Sequence, residues 1–153
     1  MRAMKENEID RLTDVSKWAN IITTSPDGYP YAIEATPFKI NGDIGFMISP
    51  KGGTSKNLVH SNKVLLKYTL ASNDLEFWAG ASLFGEGSYV RDPELIGKGW
   101  KLLGEIMGAD YSTVAQKFIK NPENSPLFVV KVNNKTSRCS AKAGEEFKID
   151  DKT

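Results

Sequence analysis

The sequence is poor in the residues that build covalent and metal-centred sites. One cysteine, Cys139, and one histidine, His60, stand among 153 residues. That excludes an intramolecular disulfide, a multi-cysteine zinc site and a multi-histidine centre, and it points to a reducing compartment. Long apolar runs are missing too: no stretch approaches the roughly 18 residues of a membrane span, and Met1-Arg2-Ala3-Met4-Lys5-Glu6 carries no apolar signal core. The expected location is the cytoplasm, with no membrane partner. Nor is there an excess of one charge, since twenty Lys and Arg against nineteen Asp and Glu leave a formal net charge of +1. Nothing therefore favours nucleic acid, and any bound anion must be held locally. The nucleotide-binding patterns G-x-x-x-x-G-K-[ST] and G-x-G-x-x-G are absent, and His60 with Ser61 or Ser55 has no G-x-S-x-G elbow beside it.

What remains is an ordinary globular composition, 40% hydrophobic and 25% charged, of a length that suits one domain burying about 68 to 70% of its unfolded surface. Residues 4 to 18 read as a surface helix with Ile9, Leu12 and Val15 or Ser16 at helical spacing. From Trp18 the pattern becomes β. A β-branched strand from Asn20 turns at Pro26-Asp27-Gly28, a strand from Tyr31 to Ile40 contains Pro37, and Asn41-Gly42-Asp43 turns the chain into Ile44, Phe46 and Ile48. Val64 to Leu70 is an apolar strand, and Leu75 to Val90 is one long strand or a bent pair in which Gly80, Gly85 and Gly87 predict bulges or curvature. Asp92-Pro93-Glu94 opens a helix whose apolar stripe is Ile96, Trp100, Leu103 and Met107; Asp110 opens a second, and Leu127 to Val132 is a last strand. Beyond Asn133 the chain is polar and expected to fray, apart from Phe147 and Ile149. Glu145-Glu146 and Asp150-Asp151 read there as solvated charge. The tally is a mainly β, α+β chain of about six short strands linked mostly by tight turns, with an N-terminal helix and a helical insertion before the last strand, which points to a closed or split barrel. Residues 1–135 form the domain and 136–153 a polar tail.

One stretch carries chemistry. In Ser49-Pro50-Lys51-Gly52-Gly53-Thr54-Ser55-Lys56, a strand ends in two glycines and a short helix opens with hydroxyl residues between two lysines. Glycine backbone can close on an anion, Thr54 or Ser55 can cap the helix, and a helix N-terminus offers unpaired N–H groups. The plain alternative is a solvated strand-to-helix turn.

The order of these signals is similar to that of a known superfamily. A leading helix is followed by Ser25-Pro26-Asp27-Gly28-Tyr29-Pro30-Tyr31, then Asn41-Gly42-Asp43, the Gly-Gly-x-x-Lys loop, Asn62-Lys63-Val64-Leu65-Leu66, and Gly85-Glu86-Gly87-Ser88-Tyr89-Val90-Arg91-Asp92-Pro93-Glu94. Over roughly residues 5 to 132 this resembles the FMN-binding split barrels, which include pyridoxamine 5′-phosphate oxidase and the small FMN-binding proteins. The resemblance implies a six-stranded antiparallel split barrel of Greek-key form, and a homodimer with FMN at the subunit interface. Its phosphate would lie on Gly52, Gly53, Thr54, Ser55 and Lys56 with Lys51 beside them, and the ring edge along Ser49, Pro50, Thr36 and Pro37, with Trp100 of a partner as a second wall. It implies an oxidoreductase exchanging hydride or electrons with a small-molecule or protein partner, with no side chain nominated as catalytic. Where many relatives carry Ser-Arg-Lys this chain has Gly-Thr-Ser, so the phosphate would rest on lysines instead of an arginine fork. The arginine-rich ending of the vitamin B6 oxidases is absent. Alternatives within the same barrel are a deazaflavin or haem in place of FMN, and a flavin-binding module without catalysis.

Overall fold

The computed structural model describes residues 1–141. Phe147, Ile149 and the two acidic pairs of the tail lie outside them. The chain runs α1 (Glu6–Val15), β1 (Ala19–Thr24), β2 (Pro30–Ala35), β3 (Phe38–Ile40), β4 (Asp43–Met47), α2 (Gly53–His60), β5 (Lys63–Ala71), β6 (Trp78–Tyr89), α3 (Pro93–Met107), α4 (Ser112–Lys120) and β7 (Leu127–Cys139). All strand pairings are antiparallel, in the spatial order β2-β1-β5-β6-β7-β4-β3.

That order forces the sheet to curl. Its two edge strands, β2 and β3, are consecutive in the chain and joined by Thr36 and Pro37 alone. Laid flat, seven strands would hold their edges about 29 Å apart, whereas Ala35 to Phe38 spans about 11 Å at most. The sheet therefore bends until the edges approach, giving the split barrel expected from the sequence. It has seven strands instead of six, because the Tyr31–Ile40 strand is broken where Pro37, which has no N–H to donate to a ladder, lets the chain pass from one edge to the other.

Local chemistry sets the turns. Asn41 and Gly42 take φ of 50° and 84° between the paired residues Ile40 and Asp43, the left-handed pair that a two-residue hairpin requires. The β6–β7 register shifts between Phe84 and Gly85, the bulge expected among the β6 glycines. The Asp92 carboxylate accepts from Glu94 N–H at 2.9 Å with Pro93 in the first turn of α3, and Gly108 at φ 65° ends that helix. In α4 the helix begins one residue later than expected, and Asp110 instead accepts from Ser112 N–H at 2.9 Å.

Two cores result. Ile21, Phe46, Leu66, Tyr68, Leu83 and Phe128 fill the inside of the curl, with Leu12 of α1 over one end. Phe38, Ile40 and Leu127 meet Ile96 beneath α3 on the outer side of β3 and β4. The polar ending behaves differently from expectation. β7 continues past Asn133 and Lys135 to Cys139, pairing with β6 as far as Ala79, because a strand with one solvated face needs apolar residues only at alternate positions. Cys139, expected in a polar tail, is fully buried, and its N–H and carbonyl bond to Arg2 in a short bridge from the N-terminus. Arg2 in turn grips the buried carboxylate of Glu8 with two bonds of 2.8 Å. Among the described residues no helix is long and apolar enough to cross a membrane.

Candidate functional site

The loop leaves β4 at Met47. Ile48 N–H donates to Pro126 carbonyl at 3.0 Å, and Ser49, exposed, offers its carbonyl to the Tyr89 hydroxyl at 2.8 Å and its Oγ to Lys51 N–H at 3.2 Å. Burial pushes the Tyr89 phenol up to about 12, so it remains a proton donor to this loop at ordinary pH. Gly52 is the N-cap of α2 in an extended conformation, and Lys56 N–H donates back to its carbonyl at 3.2 Å.

The two glycines differ in their work, and neither uses the positive φ that glycine permits. A Cβ on Gly53 would lie 2.7 Å from the Tyr31 ring, so its missing side chain is space taken by β2. A Cβ on Gly52 would meet nothing nearer than Ser49 carbonyl at 3.8 Å, so this is the side from which backbone can be approached. Thr54 does not cap the helix as expected. It is buried with Asn57 on the face toward β1, where Asn57 Nδ2 donates to Thr23 Oγ1 at 3.0 Å and Thr54 Oγ1 has no hydrogen-bond partner among the described residues. Among the described residues no side chain caps α2. Its first-turn N–H groups therefore stand uncapped between exposed Lys51 and Lys56, neither of which forms an ion pair among the described residues, with half-buried Ser55 in the same turn.

A cleft of about 260 Å³ opens where the sheet edges approach. Thr36 and Ala35 of the β2 end and Met47 and Ile48 of the β4 end line it, closed by Leu103 and Tyr111 from the helical insertion. Trp18 and Met107 stand at its mouth, 65% and 55% exposed, and Glu34 is its one charged lining residue. Pro37, expected along the ring edge, is buried. Strand β2 connects this cleft with the loop: Tyr31 touches Gly53 at one end, and Ala35, about 13 Å along at strand spacing, lines the cleft at the other. A larger cavity of about 580 Å³ lies between α3 and α4, around Trp100, Gly104 and Ala115, and shares only Tyr111 with the cleft. None of residues 49–56 lines it, which takes Trp100 away from the loop within one subunit.

The structure thus brings Thr36 to Ile48, which is next in the chain to Ser49 and Pro50, and sets Gly53 against Tyr31 toward the other end of β2. The sequence reading missed Tyr31 and Glu34, which sit in a strand that looked like ordinary alternation. Trp18 was weighed with Trp78 and Trp100 as an aromatic flavin wall and given to core packing instead, and Tyr111 was given to the apolar face of the second helix of the insertion.

No protein-family model matches the chain, and no curated protein does. Solved structures do. A conserved hypothetical protein from Mycobacterium tuberculosis superposes with a TM-score of 0.73 at 21% identity, over 88% of this chain and 84% of its own. A FAD-binding protein from Mesorhizobium loti gives 0.66 at 14% identity, over 92% and 97%. A protein of the pyridoxinephosphate oxidase family from Clostridium acetobutylicum, related to a general stress protein, gives 0.64 at 19% identity, over 86% of each. A haem storage protein from Vibrio cholerae shares the architecture as well. The curled seven-stranded sheet, its edges joined by two residues and its insertion laid over β3 and β4, is accordingly the split-barrel fold of the pyridoxamine 5′-phosphate oxidase-like proteins.

Proposed function

We propose that this protein is an FMN-binding flavoprotein, an oxidoreductase that exchanges hydride or electrons with a small-molecule or protein partner and works as a homodimer. The observation that carries the reading is the pairing of an uncapped helix N-terminus, open at Gly52 and flanked by two lysines that form no ion pair among the described residues, with an apolar cleft near the other end of β2. A phosphate suits the first and a flat ring the second. The α2 N–H groups and Lys51 and Lys56 hold the phosphate through the helix dipole and charge. Met47, Ile48 and Leu103 exclude water from one face of the ring, while Thr36 offers a hydroxyl at its edge. Bound FMN supplies the redox chemistry, and the protein fixes its position and surroundings. Trp18 and Met107 leave large apolar surface at the mouth, which a second subunit would cover.

The FAD-binding neighbour supports a flavin, whereas the haem storage neighbour keeps haem as a rival. Haem fits less well here. His60, the sole histidine, is exposed at the last turn of α2 and lines no part of the cleft. The test is a visible spectrum of purified protein before and after adding FMN, then after dithionite. A flavin band that stays through gel filtration and bleaches is expected. Lys51→Ala with Lys56→Ala should weaken FMN at least about tenfold, the loss of charge-assisted hydrogen bonds. Unchanged affinity in the double variant would sink the loop assignment.

A further inference from the structure

The outer face of the sheet carries a second arrangement that the flavin reading does not use. Along β5, buried Val64, Leu66 and Tyr68 alternate with outward Leu65, Lys67 and Thr69. Lys67 does not extend into water as a lysine with free access would. It lies across β6, donating to Ser82 Oγ at 3.2 Å, with its Nζ 3.4 Å from where a Cβ on Gly80 would stand. Gly80 is paired on its other side with Arg138 of β7, whose guanidinium sits 5.8 Å from the Trp78 ring centroid. The bare glycine thus lets an ammonium settle toward a guanidinium. Burial, and then the Arg138 charge, hold Lys67 below the usual lysine range. Among the described residues no carboxylate pairs with either cation. Two converging cations and a hydroxyl without an acid are unfavourable when empty and favourable around an anion. The next register row is apolar, with Ile22, Leu65 and the 41% exposed Phe84 side by side.

We propose that Lys67, Arg138 and Ser82 form a binding site for a carboxylate carried on an apolar body, whose charge lies between the two cations and whose body rests on Leu65 and Phe84. The site stands apart from the phosphate loop, and does not depend on the flavin reading. The test uses the full chain, labelled with ¹⁵N and titrated with benzoate and with acetate. Saturable shifts at the Gly80, Ser82 and Arg138 amides are expected for benzoate, with acetate about tenfold weaker for want of apolar burial. Lys67→Met and Arg138→Gln should each weaken benzoate at least about tenfold, whereas Lys63→Met, on the same strand but outside the cluster, should leave it unchanged. Shifts at Gly52 and Gly53 report the phosphate loop separately, so failure of either site is read independently. Unsaturable shifts, or equal affinity in the Lys67 and Arg138 variants, overturn the proposal. So do Gly80 shifts that follow protein concentration without added anion, because they would put a second copy of the chain on this face.

Discussion

Replacing Gly85 by alanine tests the curl of the sheet, and with it the approach of the edges that makes the cleft. A Cβ there would stand 2.2 Å from Lys131 carbonyl oxygen, 2.9 Å from its carbon and 3.1 Å from Val130 Cγ1. Carbon and oxygen in close non-bonded contact keep about 3.3 Å, so one strand must retreat by about 1 Å. The obstruction is backbone, held in the β6–β7 ladder beside the Glu86–Lys131 pair, and it cannot swing aside as a side-chain tip does. Overpacking of this kind costs about 3 kcal/mol. In a domain of this length that lowers the melting temperature by about 10 °C. Circular dichroism during heating and in urea reads it, with Gly97→Ala as the control. The Gly97 Cβ would meet only Ile119 Cδ1, at 3.4 Å, inside α3, so alanine should be neutral or stabilising by up to about 1 kcal/mol. A Gly85→Ala protein melting within about 2 °C of the parent would refute the bulge as described.

Acid should loosen the N-terminus. The Arg2 guanidinium holds the Glu8 carboxyl down to about 2 from 4.5, so the native state binds this proton less tightly than the unfolded chain does. The stabilisation is complete above about pH 4.5 and is lost as pH falls toward 2. Glu8→Gln should flatten the dependence of melting temperature on pH across that window, and an unaltered slope would contradict the pairing. Asn57→Ala leaves the buried Thr23 hydroxyl without its donor, at a cost of about 1 to 3 kcal/mol. Because that bond fixes α2 against β1, FMN titration should show weaker binding in the same variant; full affinity would separate the helix from the cofactor.

The fold was legible where local chemistry and long-range geometry agree. Asn41-Gly42 demanded a tight hairpin, Asp92-Pro93 a helix start, and the β6 glycines a distortion, and each is found. Legibility failed where a polar residue has two meanings. Asn133 to Arg138 alternates too weakly to declare a strand, yet it pairs because β6 offers an open ladder and Cys139 closes the end of the core. Pro37 implied an edge or a bulge, and both strands beside it are indeed sheet edges, but the crossing from one edge to the other depends on where β7 and β5 sit.

The loop shows why a candidate site is harder to read than a fold. Gly52 and Gly53 are adjacent and identical in composition, but one glycine is bare because Tyr31, 22 residues earlier, fills its space, and the other faces nothing. Thr54 carries the right hydroxyl for a cap and turns it inward, because the residue three places on, Asn57, is anchored to Thr23 and the helix can rotate only one way. Trp18, Thr36, Ile48 and Leu103 meet around one cleft from four separate stretches of the chain. Each alone reads as core or turn, and only the two-residue junction between the sheet edges gives them a common wall. A substitution that straightened that junction should therefore abolish ring binding while leaving the uncapped α2 N-terminus able to take inorganic phosphate, since the two halves of the site share a strand but not a constraint.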